Sequence, residues 1–126
     1  MTGTPPAMTG FHHFSPTVSD VEASAAWYER VFGMSRVPVT FPHYGDEEGG
    51  YAVLMMDPKS GVTLGLNHHE ANPGEPFAEN RTGLDHISFS VASREDLDAC
   101  DGVRRATPRV DSSGQHGCPP SRRSRS

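Results

Sequence analysis

Long apolar runs are missing from this 126-residue chain. None approaches the roughly 20 residues that a bilayer-crossing helix needs. Residues 1–8 hold no basic residue followed by an apolar block, so neither a membrane partner nor a secretory leader is expected. Cysteine is scarce. Cys100 and Cys118 are the only two, and their spacing fits neither a metal-binding pair nor a disulfide framework. A reducing, cytoplasmic setting is the expectation, in which the glycosylation-like triplet Asn80-Arg81-Thr82 is a chance match. Basic residues are few before residue 102. Up to that point five Lys or Arg face fifteen Asp or Glu, whereas residues 102–126 carry six Arg and one Asp. An acidic body speaks against nucleic acid as a partner, and arginines without interleaved aromatics do little to restore that reading.

What the chain does have is an internal echo. Gly83-Leu84-Asp85-His86-Ile87-Ser88-Phe89-Ser90-Val91 aligns with Gly10-Phe11-His12-His13-Phe14-Ser15-Pro16-Thr17-Val18. His13 falls on His86, Ser15 on Ser88 and Val18 on Val91. Both stretches alternate as strands do. In the first copy Phe14 and Val18 share an apolar face while His13, Ser15 and Thr17 share a polar one. In the second, Ile87, Phe89 and Val91 lie opposite His86, Ser88 and Ser90, with Asp85 the exception. Each copy thus places one histidine on a polar lining.

The elements around the repeat follow in order. Residues 1–9 form a frayed end and 11–18 the first strand. Ser19-Asp20-Val21-Glu22 fits a capping box, with Ser19 as the cap and Glu22 reaching back. A helix then runs to Phe32, burying Val21, Ala25, Tyr28 and Phe32, and stops at Gly33. Strands are predicted over 34–41, 51–57 and 62–69, with a loop at 42–50 and a tight turn at 58–61 that makes the last two a hairpin. Residues 70–82 form a connector rich in Asn, Pro, Gly and Glu. The pattern restarts at Gly83 with a strand, and Ser93-Arg94-Glu95-Asp96 opens another helix. The predicted class is α+β. The chain is 13 Gly and 11 Pro in 126 residues, enough to expect short elements and long connections within one domain.

The strand at 11–18, followed by Ser19-Asp20, Trp27-Tyr28 and Phe32-Gly33-Met34, resembles the opening of the vicinal oxygen chelate superfamily, which includes glyoxalases, bleomycin-resistance proteins and extradiol dioxygenases. Arg81-Thr82-Gly83-Leu84-Asp85-His86-Ile87-Ser88-Phe89-Ser90-Val91 resembles the opening of that family's second module. The resemblance implies paired β-α-β-β-β modules whose curved sheets enclose a cavity. Module one is placed at 10–69, the connector at 70–82 and a partial second module at 83–101, so that the domain spans 10–101. It also implies a divalent metal (Zn, Fe, Mn, Ni or Co), held by residues from the first and last strand of each module. Carried over, His13 and His86 match the two first-strand ligands. Many metal-dependent members have glutamate where Gly65 stands, and Glu95 is the last glutamate of the sequence. His69, on the same strand face as Gly65 and Asn67, is the substitute candidate, as a metal ligand or a substrate contact. Asn67 and Arg36 are the other expected substrate contacts. Asp57 and Glu70 are possible carboxylates without support from the pattern, and no catalytic residue is named.

Plainer readings stand beside these. His12 and His68 fall on the opposite strand faces. His43 and His116 lie in loops and are given no role. Trp27 and Tyr28 are helix packing, and Met55 and Met56 are core or cavity wall. Residues 102–126 have Val103, Ala106, Val110 and Cys118 as their apolar content, with no alternation. They read as a disordered or non-native tail, of the kind that out-of-frame translation of a GC-rich gene produces. Two functions follow. One is a metal-dependent enzyme of the glyoxalase or dioxygenase type acting on a small molecule, a lyase or extradiol-type dioxygenase impaired by loss of its C-terminal strands. The other is a metal-free binding or resistance protein of the same fold. An uncovered sheet edge implies a second copy of the chain as partner, giving a homodimer.

Overall fold

The structure is a computed structural model and describes residues 3–43 and 49–107. Residues 3–13 carry no regular structure. The first helix, α1 (Val21–Phe32), begins where a side chain satisfies its open end: Asp20 Oδ1 accepts from the Ala23 N–H at 3.0 Å. The cap is therefore Asp20 and not Ser19. Glu22, one position short of the N3 site that a capping box on Asp20 needs, pairs with Arg36 instead. At the other end Gly33 sits at φ 66° and ψ 24° and closes the helix by donating back to Glu29 and Tyr28, a left-handed turn that a side chain would resist. The apolar stripe is wider than the sequence spacing suggested. Val21, Ala25 and Tyr28 are buried, as are Ser24, Trp27 and Val31, while Phe32 is half-buried.

Three antiparallel strands follow in the order β1 (Ser35–Pro42), β2 (Tyr51–Met56) and β3 (Thr63–His68). Asp57 makes the β2–β3 turn. Its Oδ2 accepts from the Ser60 N–H and hydroxyl at 3.0 and 2.6 Å, and its backbone N–H donates to Val62 O. The hydrogen bonds to Ser60 hold its carboxyl below the usual range. Gly61, at φ 77°, supplies the reversal. β1 keeps register with β2 at both ends but slips between Arg36 and Thr40. Pro38 lies in that slip and has no N–H to give to a ladder, which confines such a residue to an edge strand or a bulge.

The expected first strand exists as two parallel bridges to β3, Phe14 to Leu64 and Thr17 to Asn67. Its bonds are Gly65 N–H to Phe14 O, Asn67 N–H to Pro16 O, and Val18 N–H to Asn67 O. A parallel ladder requires one more, from the N–H of residue 16 to Gly65 O. Residue 16 is proline, so the ladder is broken there. The alternation holds nonetheless: Val18 is buried at 2% exposure and Phe14 packs on the core, while Ser15 and Thr17 face away.

Among the described residues the buried apolar side chains all lie between Val18 and Leu66, where α1 packs on one face of the sheet. Fully burying a side chain such as Leu64, Leu66 or Met55 contributes roughly 1.5–3 kcal/mol. The repeat strand at 83–91 is irregular apart from one bridge residue, Ser88. Its anchor is Phe89, whose ring lies 5.9 Å from Phe14 and 5.0 Å from Phe32 between centroids. The second helix, α2 (Arg94–Ala106), is capped as predicted, with Ser93 Oγ accepting from the Asp96 N–H at 3.0 Å. It packs on α1 and buries Asp101, which Arg104 and Arg105 hold at 2.6 and 2.9 Å. Those partners keep the Asp101 carboxyl below its usual range. α2 carries through the boundary drawn at residue 102, and residues 108–126 of the supposed tail lie outside the described residues. Cys100 is disulfide-bonded, which corrects the expectation that the cysteines form no disulfide framework: spacing in the sequence does not set distance in the fold. Cys118 lies outside the described residues. The cysteine argument for a reducing compartment falls with that correction.

Candidate functional site

Strand register assigns each side chain a face. Leu54 pairs with Gly65, Ala52 with Asn67 and Met56 with Thr63 on β2–β3, and Phe41 pairs with Ala52 on β1–β2. Residues paired directly across strands share a face, and the alternate residues Val53, Met55, Leu64 and Leu66 pack toward α1. The face turned away from α1 therefore carries Phe41, Ala52, Leu54, Met56, Thr63, Gly65 and Asn67, with Ser15 and Thr17 alongside β3. Phe41 and Met56 are each 40% exposed. Asn67 is buried at 7% exposure, and its side-chain amide donates to Ser15 O at 3.3 Å. That bond fixes the amide and leaves its oxygen as an acceptor on this face.

Gly65 is the decisive position. A Cβ built there meets Ser15 Oγ at 2.8 Å and Leu54 Cδ2 at 3.4 Å. The space that a longer residue at 65 would enter is taken by the Ser15 hydroxyl, and no donor stands in its place.

The expected ligands are engaged separately. His13 Nδ1 lies 2.6 Å from His12 Nδ1, so one ring donates and the other accepts. His86 Nδ1 lies 2.6 Å from Asp85 Oδ1. Both histidines are exposed, and no hydrogen bond or ring contact among the described residues joins them. His69 lies just past β3 and meets neither. Its ring packs edge-on against His43, with centroids 4.5 Å apart. The sequence places His43 inside the 42–50 loop and so offers it no role; the β1–β2 register, extended one residue past Pro42, finds it. Arg36 pairs with Met55 and so lies on the α1 face. Its guanidinium grips Glu22 in two bonds, Nη1–Oε2 at 2.6 Å and Nη2–Oε1 at 3.0 Å, which ties it to the helix and away from the face of Asn67. The bond lowers the Glu22 carboxyl and raises Arg36. Glu70 is held by His68 at 3.0 Å, and Asp57 by its own turn. Among the described residues no three of His, Cys, Asp or Glu gather as a metal site. The donor set does not fit the three-ligand divalent centre that the resemblance implies.

Residues 10–122 match the family model of the Glyoxalase/Bleomycin resistance protein/Dioxygenase superfamily. The chain belongs to this superfamily. A solved member, the glyoxylase/bleomycin resistance protein/dioxygenase domain from Frankia sp. EAN1pec, is 31% identical with a TM-score of 0.68, over 79% of this chain and 73% of that one. The fosfomycin resistance protein FosX from Listeria monocytogenes, solved with Mn(II) and sulfate, is 15% identical with a TM-score of 0.57, over 79% of this chain and 72% of FosX. A mutant FosX solved with Mn(II) and 1S,2S-dihydroxypropylphosphonic acid is 16% identical with a TM-score of 0.59, over 87% and 88% of the two chains. At that identity FosX supports the superfamily fold and nothing finer. No curated protein matches the chain. In superfamily terms, the described residues hold one whole module, its opening strand broken at Pro16, and the start of a second. No helix among them is long and apolar enough to cross a membrane.

Proposed function

We propose that this chain is a small-ligand-binding member of its superfamily, of the resistance-protein kind, in which metal-dependent catalysis is weak or absent. The observation that carries this reading is Ser15 Oγ at 2.8 Å from the Cβ position of Gly65. The position that would supply a carboxylate is closed, while the same face offers what a ligand pocket uses: an apolar floor (Ala52, Leu54, Met56, Phe41) and a few fixed polar groups (Ser15, Thr17, Asn67). The ligand is a small organic molecule and the partner a second copy of the chain. The domain of this proposal runs from residue 10 through α2 to Ala106, past the boundary at 101 that the sequence suggested. The bonded Cys100 leaves the expected cytoplasmic setting without its cysteine support; thiol titration of the freshly isolated chain decides it, two free thiols restoring that setting and none ruling it out.

Calorimetric titration with bleomycin and with 1S,2S-dihydroxypropylphosphonic acid, with and without EDTA, tests the function. The expected result is binding of one of these probes, unchanged by EDTA and weakened about tenfold by Asn67→Ala. Metal-dependent turnover that His13→Ala or His86→Ala abolishes would overturn this reading. It would favour the glyoxalase- or dioxygenase-type enzyme, for which the matched histidines of the repeat, and the Mn(II) in the FosX structures, are the specific support.

A further inference from the structure

The far end of the ligand-facing sheet holds two imidazoles that the superfamily assignment does not use. The β1–β2 register, Pro42 to Tyr51, extends to residues 43 and 50, where His43 N–H donates to Gly50 O at 3.0 Å. The β2–β3 register, Tyr51 to His68, extends to residues 50 and 69. His43, Gly50 and His69 thus form one cross-strand row, on the same face as the row of Phe41, Ala52 and Asn67. Gly50, on the middle strand, is buried and has no side chain. The outer two rings therefore meet across it, with centroids 4.5 Å apart and planes at 70°. The neighbouring pair confirms the alternation: Tyr51 and His68 stack on each other at 5.0 Å on the other face.

We infer that His43 and His69 form a two-imidazole site for a borderline divalent ion, with Zn(II), Ni(II) and Cu(II) the suitable class. Two imidazoles on one tetrahedral ion hold their donor nitrogens about 3.4 Å apart, each about 2.0–2.1 Å from the metal. The two rings are already in edge contact on half-buried strand ends, with centroids 4.5 Å apart, close to that spacing. Two protein ligands leave the other positions to water or to an oxygen of a bound ligand. One row separates this site from Asn67, about 7 Å along the strand, so an ion here borders the ligand face without entering the space that Ser15 closes. Among the described residues, the carboxylate next in sequence to His69 is Glu70, which His68 holds.

The test uses the full chain, with Zn(II) alone as probe, in calorimetry and in NMR of the histidine ring protons. One Zn(II) per chain is expected, with the ring signals of His43 and His69 moving in the unaltered protein. His43→Ala and His69→Ala should each weaken binding at least tenfold, as should Gly50→Val, which sets a side chain between the rings. His13→Ala and His86→Ala should leave it unchanged. Absence of binding at 1 mM Zn(II) (roughly the weakest affinity worth calling a site) overturns the inference, and so does binding retained by the His43→Ala/His69→Ala double variant. Loss of binding in the His13 or His86 variants with His43→Ala unaffected also overturns it, and moves the metal to the repeat histidines. The inference stands independently of the ligand-binding proposal, because EDTA-insensitive ligand binding and Zn(II) binding are read separately.

Discussion

At the scale of single residues, the contact between Ser15 and Gly65 is the sharpest one to test on the face turned away from α1. The Ser15 hydroxyl occupies the volume next to Gly65, so the two positions are coupled. Gly65→Ala alone drives Ser15 out of its rotamer, at a cost that offsets the entropy gained by removing a strand glycine, roughly 0.5–1 kcal/mol. In a Ser15→Ala background the nearest atoms become Leu54 Cδ2 at 3.4 Å and the Cβ of residue 15 at 3.6 Å, both ordinary contacts. Urea unfolding of the four variants should therefore give a coupling free energy of about 1 kcal/mol; additive effects would mean that Ser15 does not fill the site. The sequence made His13 and His86 visible through the repeat but hid their partners. In a regular strand, neighbouring side chains point to opposite faces, so bonds between His12 and His13 and between Asp85 and His86 were not foreseeable. They exist because neither segment holds a regular strand.

Elements were legible where a local rule governs them and less so where two compete. Gly33, the Asp57 turn and the Ser93 cap all appear where the sequence puts them. Ser19 and Asp20 both suit an N-cap, and the aspartate prevailed, which freed Glu22 to bind Arg36 across α1 and the start of β1. The pH consequence has a definite sign. The Arg36 bond holds Glu22 below its ordinary value of 4.5, so the stability it contributes is present above that pH and is lost as pH falls through the lowered value. Acid titration of unfolding should be shallower below pH 4.5 in Glu22→Gln than in the parent, and 0.5 M salt (a screening length of roughly 4 Å) should shrink the difference between them, since the pair is exposed. The opening strand offers a sharper test. Pro16→Ala supplies the N–H that Gly65 O lacks. Its stability gain, on the order of 1 kcal/mol for a hydrogen bond, is offset by the greater freedom of the unfolded chain. The informative readout is therefore the new amide at position 16, which should exchange slowly and join the two bridges into one ladder. Rapid exchange there would show that something other than proline breaks the strand.

At the scale of the whole molecule, the two halves are held very unequally. Among the described residues, every buried apolar side chain lies between Val18 and Leu66, while the one buried residue of α2 is the charged Asp101. The sequence carries this imbalance, since Leu97 and Val103 are the only aliphatic residues larger than alanine in 94–106, but it did not show that α2 would run on to Ala106. The helix is completed by Asp101 reaching forward to Arg104 and Arg105, which a search for apolar periodicity does not detect. A segment with little apolar burial opens more readily than the core it leans on. Native-state hydrogen exchange should therefore separate two units. Amides of α1, β2 and β3 should exchange only through global unfolding. Those of α2 should exchange through a local opening that costs less, by at least about 2 kcal/mol, because the contacts broken are few. Beside the packing of α2 on α1, the ring of Phe89 connects the units, lying between Phe14 and Phe32. Phe89→Ala should lower protection across α2 by a further factor of ten or more and leave β2–β3 protection little changed. If α2 exchanges with the same free energy as β3, and Phe89→Ala lowers both together, the halves form one cooperative unit, and the division of the chain into a folded module and a loosely attached remainder is wrong.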